Sequence, residues 1–243
     1  MFASIRARWG RHFKSDEGES PYGQKRISAS LKEDFCSKLR NPLQIDPIQC
    51  FQNHSPDHYG GDMERMQYLD MRRIYHPGSL NLLIIAESPP ASGLYFYDPN
   101  GRVTEPIFAE FMKYLGLHPS TKADGLQALR DIGWLLLDAT YEPIDKKFRS
   151  RDRRRDAILL RDYSQLKEDI QALSTGRSVP IVLMKENVCR VLEPVLLADK
   201  FNVLNRGRKV YLPVQGNQSH FHRQLREILT RAFHGTERTC RPF

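Results

Sequence analysis

Leu82-Leu83-Ile84-Ile85-Ala86 is apolar at every position, and Glu87-Ser88-Pro89-Pro90 ends the run in a turn. A strand with one wet face alternates apolar and polar residues, whereas a run apolar throughout suits a strand buried on both faces of a parallel sheet. Three more runs share this character: Trp134-Leu135-Leu136-Leu137 before Asp138, Pro180-Ile181-Val182-Leu183-Met184, and Lys209-Val210-Tyr211-Leu212. Patterns of helical period lie between and after them, at 107–115, 126–132, 158–173, 188–197 and 221–233. Strand and helix in alternation predict one α/β domain over 81–235, with a short central parallel four-stranded sheet covered by helices on both faces. Ligands of such sheets bind beyond the carboxyl ends of the strands, so the residues just after each run carry the functional argument.

Outward from this core the chain changes character. Residues 1–30 are polar, basic and rich in Ser and Gly, which predicts an arm with little structure. Its first 15 residues hold Arg6, Arg8, Arg11 and Lys14 and no acid. They read as a solvated basic arm, with an organellar transit peptide as the alternative. Residues 31–80 read as helical cover, in which Met63, Met66, Leu69 and Ile74 approximate a stripe closed by Pro77 and Gly78. Residues 236–243 form a tail.

With 243 residues, 40% hydrophobic and 27% charged, the chain is long enough to bury one core and too ordinary in composition to be disordered. The net charge of +8 fits a polyanion-binding surface, although a basic protein need not touch nucleic acid. Cys36, Cys50, Cys189 and Cys240 contain no CxxC pair. That pattern argues against zinc or iron–sulfur ligation and predicts reduced thiols in an intracellular protein of the cytoplasm, nucleoid or nucleus. No apolar run reaches about 18 residues, so no membrane span is expected. Lys146, Lys147, Arg149, Arg151, Arg153, Arg154 and Arg155 crowd a loop on the carboxyl side of the second run. That placement favours phosphate contacts over a merely solvated loop.

Three segments, in order over residues 80–233, resemble the signatures of the uracil-DNA glycosylase superfamily. Ala86 to Pro90 fall on the first five residues of GQDPYH, and Gly93, Leu94 and Phe96 on the G, L and F of GLCFS. Gly133 to Thr140 is similar to GVLLLNAVLTV, with Asp138 at the Asn that reads the edge of an extruded base. Tyr211 to Ser219 matches the placement of HPSPLS, with Pro213 and a small polar character in common. The resemblance implies a glycosylase-like fold and hydrolysis of the N-glycosidic bond of uracil or a related base in DNA, without metal or cofactor, by a monomer. It assigns Glu87 and Ser88 to the attacking water, and Pro89, Phe96 and Asp138 to the base. Asn217, Gln218, Ser219 and His220, together with the basic loop, fall to the DNA.

Several alternatives stand beside these assignments. Phe96 either offers a stacking face, worth about 1–3 kcal/mol per base, or packs in the core. An ionised Asp138 only accepts hydrogen bonds and wants a base presenting N–H groups, such as cytosine or adenine. A desolvated, protonated Asp138 imitates the amide and accommodates uracil. A helix cap or a salt bridge to the basic loop is its structural role. His220 and His222 open the last helix as either ligand contacts or a structural pair, and Lys185, Glu186 and Asn187 read as a helix start. Ser88 stands where the family has its water-activating Asp, and Leu212 where it has its catalytic His. These departures favour a competing reading, a DNA-binding protein that keeps the fold without the chemistry. A nucleoside or nucleotide hydrolase is the third reading, but the sequence has neither a Gly-rich phosphate loop nor a GxSxG elbow.

Overall fold

A computed structural model describes residues 65–149, 152–176, 178–214 and 216–234. The expected N-terminal arm, most of the helical cover, the tail, and Cys36, Cys50 and Cys240 lie outside the described residues. The elements run α1 (Arg65–Ile74), β1 (Leu82–Ala86), α2 (Pro106–Leu115), α3 (Lys122–Ile132), β2 (Trp134–Asp138), a 3-10 turn (Ile144–Lys146), α4 (Arg154–Arg161), α5 (Tyr163–Ser174), β3 (Ile181–Leu183), α6 (Glu186–Ala198) and α7 (Gln218–His234). The class is α/β with a parallel sheet. Every residue of the three strands is buried, so both faces are covered, as the unbroken apolar runs require.

Among the described residues the sheet has three strands in the order β2-β1-β3, not the expected four. The expected fourth strand, 209–212, pairs at one point only, where the Val210 carbonyl accepts the Lys185 N–H at 2.7 Å. Val203 instead makes an isolated parallel bridge to Ile181. A side chain then takes over from the backbone. Asn205, fully buried, accepts the Leu183 N–H at 2.7 Å and donates to the Leu183 carbonyl at 3.0 Å. A side-chain amide thus satisfies the groups a fourth strand would have paired. The opposite edge is closed the same way: the Tyr97 hydroxyl accepts the Leu136 N–H at 2.7 Å and donates to the Leu136 carbonyl at 2.9 Å. Unpaired strand edges invite aggregation, and these two side chains block them.

The helices meet the expected patterns with one correction. The single helix read over 158–173 is two, α4 and α5, broken at Asp162. The Asp162 carboxylate accepts from the Thr140 hydroxyl at 2.5 Å and from Arg161 Nε at 2.6 Å, a tertiary tie that holds the bend. The turn into β2 needs glycine: Gly133 has φ of 79°, and a Cβ there would come within 2.3 Å of Asn81 Nδ2. Among the described residues, no helix is long and apolar enough to cross a membrane.

Candidate functional site

The parallel strands deliver Asp138, Glu87 and Lys185 to one edge of the sheet. Ala86 is in register with Asp138, and Thr140 N–H donates to the Glu87 carbonyl at 3.1 Å, so the segments leaving β1 and β2 stay paired past the strands. Both acidic side chains are buried, but burial leads them to different states.

Glu87 is 4% exposed and fully partnered. Arg155 clamps both of its oxygens, with Nε at 2.9 Å from Oε1; Lys185 donates to Oε2, and Asn187 Nδ2 donates to Oε1 at 2.5 Å. Burial alone raises the carboxyl pKa, but the Arg155 hydrogen bond and the Lys185 charge outweigh it and hold Glu87 below the usual range. Burial pulls the Lys185 ammonium down against the attraction of Glu87. Lys185 also adopts φ of 90°, a costly conformation outside glycine, in the residue preceding α6. The expected helix-start role therefore holds for its backbone, while its side chain belongs to the Glu87 cluster. A carboxylate committed to two cations and an amide is a poor proton acceptor. Glu87 is thus corrected from a water-orienting base to the anchor of a buried ion cluster.

Asp138 is the opposite case. It is 5% exposed, and among the described residues no side-chain hydrogen bond reaches its carboxylate. Burial pushes its pKa up to about 7; the Arg72 charge opposes the rise and the Glu87 charge adds to it. Arg72 spends its hydrogen bond on the Tyr141 hydroxyl. Among the described residues it forms neither the helix cap nor the salt bridge to the basic loop.

Asp138 lines a cavity of about 430 Å³ together with Thr140, Tyr141, Asp162 and, from α1 and α4, Arg65 and Arg161. That volume falls in the range of about 300–1,000 Å³ usual for small-molecule sites. Arg65 pairs with Asp169 at 3.1 Å and lies 5.4 Å from the Tyr141 ring centroid. Arg161 bridges Asp162 and Glu142 at 2.6 and 2.9 Å. Sequence reasoning missed Arg65, Arg72, Arg161 and Asp162. Thr140 and Tyr141 follow Asp138 directly and were within reach, but nothing in the sequence announces which face of α1 or α4 meets the end of β2.

Other expected contacts are redistributed. Phe96 packs against Tyr97, Phe108 and Phe111 with ring centroids 5.1–6.0 Å apart, so it is a core residue and not a free stacking face. Pro89 is buried and Ser88 partly exposed in the turn after β1. Arg155, expected at phosphate, is buried on Glu87, also donating to the Phe148 carbonyl at 2.7 Å. Lys147, Arg149, Arg153 and Arg154 are exposed. Of these, Lys147 pairs with Glu142 and Arg154 with Asp152 over the Phe148 ring. Lys146 closes the 3-10 turn, and Arg151 lies outside the described residues. Asn217 and Gln218 are half-buried at the start of α7, with Ser219 and His220 exposed. His222 instead pairs with Glu110 of α2, the structural alternative. Among the described residues no cluster of side chains fits a metal ion. Cys189, the free cysteine of the described residues, is buried, and burial raises its thiol to about 11.

With this geometry in hand, comparison with protein-family models, curated proteins and solved structures finds no match. The functional reading therefore rests on the site and on the sequence motifs.

Proposed function

We propose that the protein extrudes a base from DNA and hydrolyses its N-glycosidic bond, with uracil or a related deaminated base as substrate, on a uracil-DNA glycosylase-like fold. One observation carries the reading: Asp138 lines a cavity at the end of β2, buried, with its carboxyl balanced between protonated and ionised forms near neutral pH. A protonated carboxyl donates one hydrogen bond and accepts another, as an amide does, and so can meet the paired C=O and N–H of a uracil edge. In the reaction the C1′–N bond breaks with its electron pair leaving on the base, the oxygen of water bonds to C1′, and the proton that this water gives up neutralises the departed base. Neutral Asp138 supplies a donor where the departing base becomes anionic, while Arg65 and Arg161 line the same cavity with their charges matched by Asp169, Asp162 and Glu142. A base inside a duplex is unreachable without extrusion, and the exposed Lys147, Arg149, Arg153 and Arg154 suit the phosphates flanking it. The order and spacing of the three motifs support the same reading.

A second reading, a DNA-binding protein without catalysis, is favoured by one feature: Glu87, the neighbour of Ser88, is neutralised by Arg155 and Lys185 and is not free to act as a base. The deciding experiment incubates excess wild-type protein and Asp138→Asn with oligonucleotides carrying uracil, hypoxanthine or xanthine, then scores abasic sites. Abasic sites are expected with wild type, and Asp138→Asn shifts the preference toward uracil by about 10–100-fold, as one buried hydrogen bond allows. Intact strands throughout the panel would leave only the binding reading.

A further inference from the structure

The turn that follows the edge segment is held by more buried polar chemistry than an idle surface loop needs. Besides closing β3, Asn205 donates to the Arg208 carbonyl at 3.0 Å. Glu193, buried on α6, accepts the Gly207 N–H at 2.7 Å. Arg206 and Gly207 take left-handed φ values of 49° and 78°, a conformation that disfavours arginine. Val210 is tied to the sheet through Lys185, and the Tyr211 N–H donates to Gln224 of α7 at 2.9 Å. The segment between these ties is preorganised, and what it presents is positive. Arg208, Lys209 and, from α7, Arg223 line a groove of about 360 Å³ with Gln224 and Glu227.

The pairs already made there are replaceable. Arg208 meets Glu227 at 3.1 Å and Lys209 meets Glu186, all four side chains at least 38% exposed. Exposed ion pairs of this kind are weak, so a phosphate can exchange for the carboxylates at little cost. Arg223 Nη2 lies 2.9 Å from His220 Nδ1, which accepts a hydrogen bond from it. Cations already fixed by their backbone lose less freedom on binding than cations on a mobile arm.

We propose that this groove binds the phosphodiester backbone of a nucleic-acid strand through Arg208, Lys209 and Arg223. The inference rests on the nucleic-acid reading above and adds a second contact surface, beyond β3, to the cavity beyond β2.

The test is fluorescence anisotropy of a labelled oligonucleotide with wild type, Arg208→Ala/Arg223→Ala and Lys209→Ala across a range of KCl. The double variant flattens the plot of log K against log salt by about 1.4–1.8, and Lys209→Ala by about half as much. Arg231→Ala, an exposed α7 arginine outside the groove, leaves the slope unchanged. Thermal unfolding matched to wild type certifies the variants; if the double variant does not fold, Lys209→Ala carries the test. An unchanged slope in folded variants, or no oligonucleotide binding by wild type, overturns the inference. So does an unchanged slope with lost binding of polyglutamate, which assigns the groove to an acidic polypeptide. A flattened slope without any abasic sites sinks the glycosylase reading alone, whereas normal excision with an unchanged slope sinks the groove alone.

Discussion

Asp138 and Glu87 end neighbouring strands, and the protein uses them in opposite ways because only one is given cations to bond. Glu87 has a lowered folded pKa, so its contribution to stability is present above the ordinary value of 4.5 and is lost as pH falls through the folded value. Asp138 is raised from 3.8 to about 7: the folded state holds its proton while the unfolded chain releases it, so stability falls as pH climbs through that window. Roughly three pH units of displacement correspond to about 4 kcal/mol, an upper figure for a site that can relax or admit water. Urea unfolding over a pH series separates the two residues. Asp138→Asn should flatten the fall between about pH 4 and 7 and exceed wild type in stability at about pH 8. Glu87→Gln should instead lose about 3–5 kcal/mol near neutral pH, because it strands the Arg155 and Lys185 charges. Parallel pH curves for Asp138→Asn and wild type would show that the carboxyl is not held neutral by the fold.

At the scale of elements, the sheet is kept to three strands by two side chains that imitate a peptide, Tyr97 at β2 and Asn205 at β3. Asn205 carries the larger consequence, because its amide also positions the Arg208–Lys209 segment. Asn205→Ala leaves the buried Leu183 N–H without a partner, and takes one donor each from the Leu183 carbonyl, which keeps the Cys189 thiol at 3.3 Å, and from the part-buried Arg208 carbonyl. At about 1–3 kcal/mol for the orphaned N–H, with smaller losses at the two carbonyls, a loss of roughly 2–3 kcal/mol is expected in urea unfolding. A loss under about 0.5 kcal/mol would mean that water replaces the amide and that the edge is not sealed by it. The bend at Asp162 works similarly: the periodic pattern of 158–173 continues through it, and the Thr140 contact from the end of β2, with the Arg161 pairs, holds the break between α4 and α5.

Across the whole molecule, the basic loop divides by burial. Arg153 and Arg154 are exposed beside Arg155, which is 2% exposed and serves the ion cluster. Arg153→Ala/Arg154→Ala should therefore flatten the salt dependence of DNA binding by about 1.8 on a duplex while leaving the fold intact. Arg155→Ala should lower the unfolding temperature through the orphaned Glu87 and alter binding only indirectly. Equal unfolding temperatures for Arg155→Ala and wild type, with a flattened slope, would return Arg155 to the DNA interface.

By itself the sequence determined the class and the positions of the three strands, because residues buried on both faces must be apolar without alternation; the fourth run read the same way, at 209–212, did not become a strand. It also marked Asp138 as a strand-end carboxylate. Everything that depends on which side chain meets which over long separations was decided by the tertiary structure. Burial of Glu87 by residues 68 to 100 positions away turned a candidate base into an anchor. Commitment of Phe96 to the α2 core removed a stacking face. A buried asparagine took the place of a fourth strand. The physical reason is common to all three: hydrophobic patterning is written locally in the chain, whereas the charge state and availability of a polar group depend on the partners and solvent that folding leaves around it.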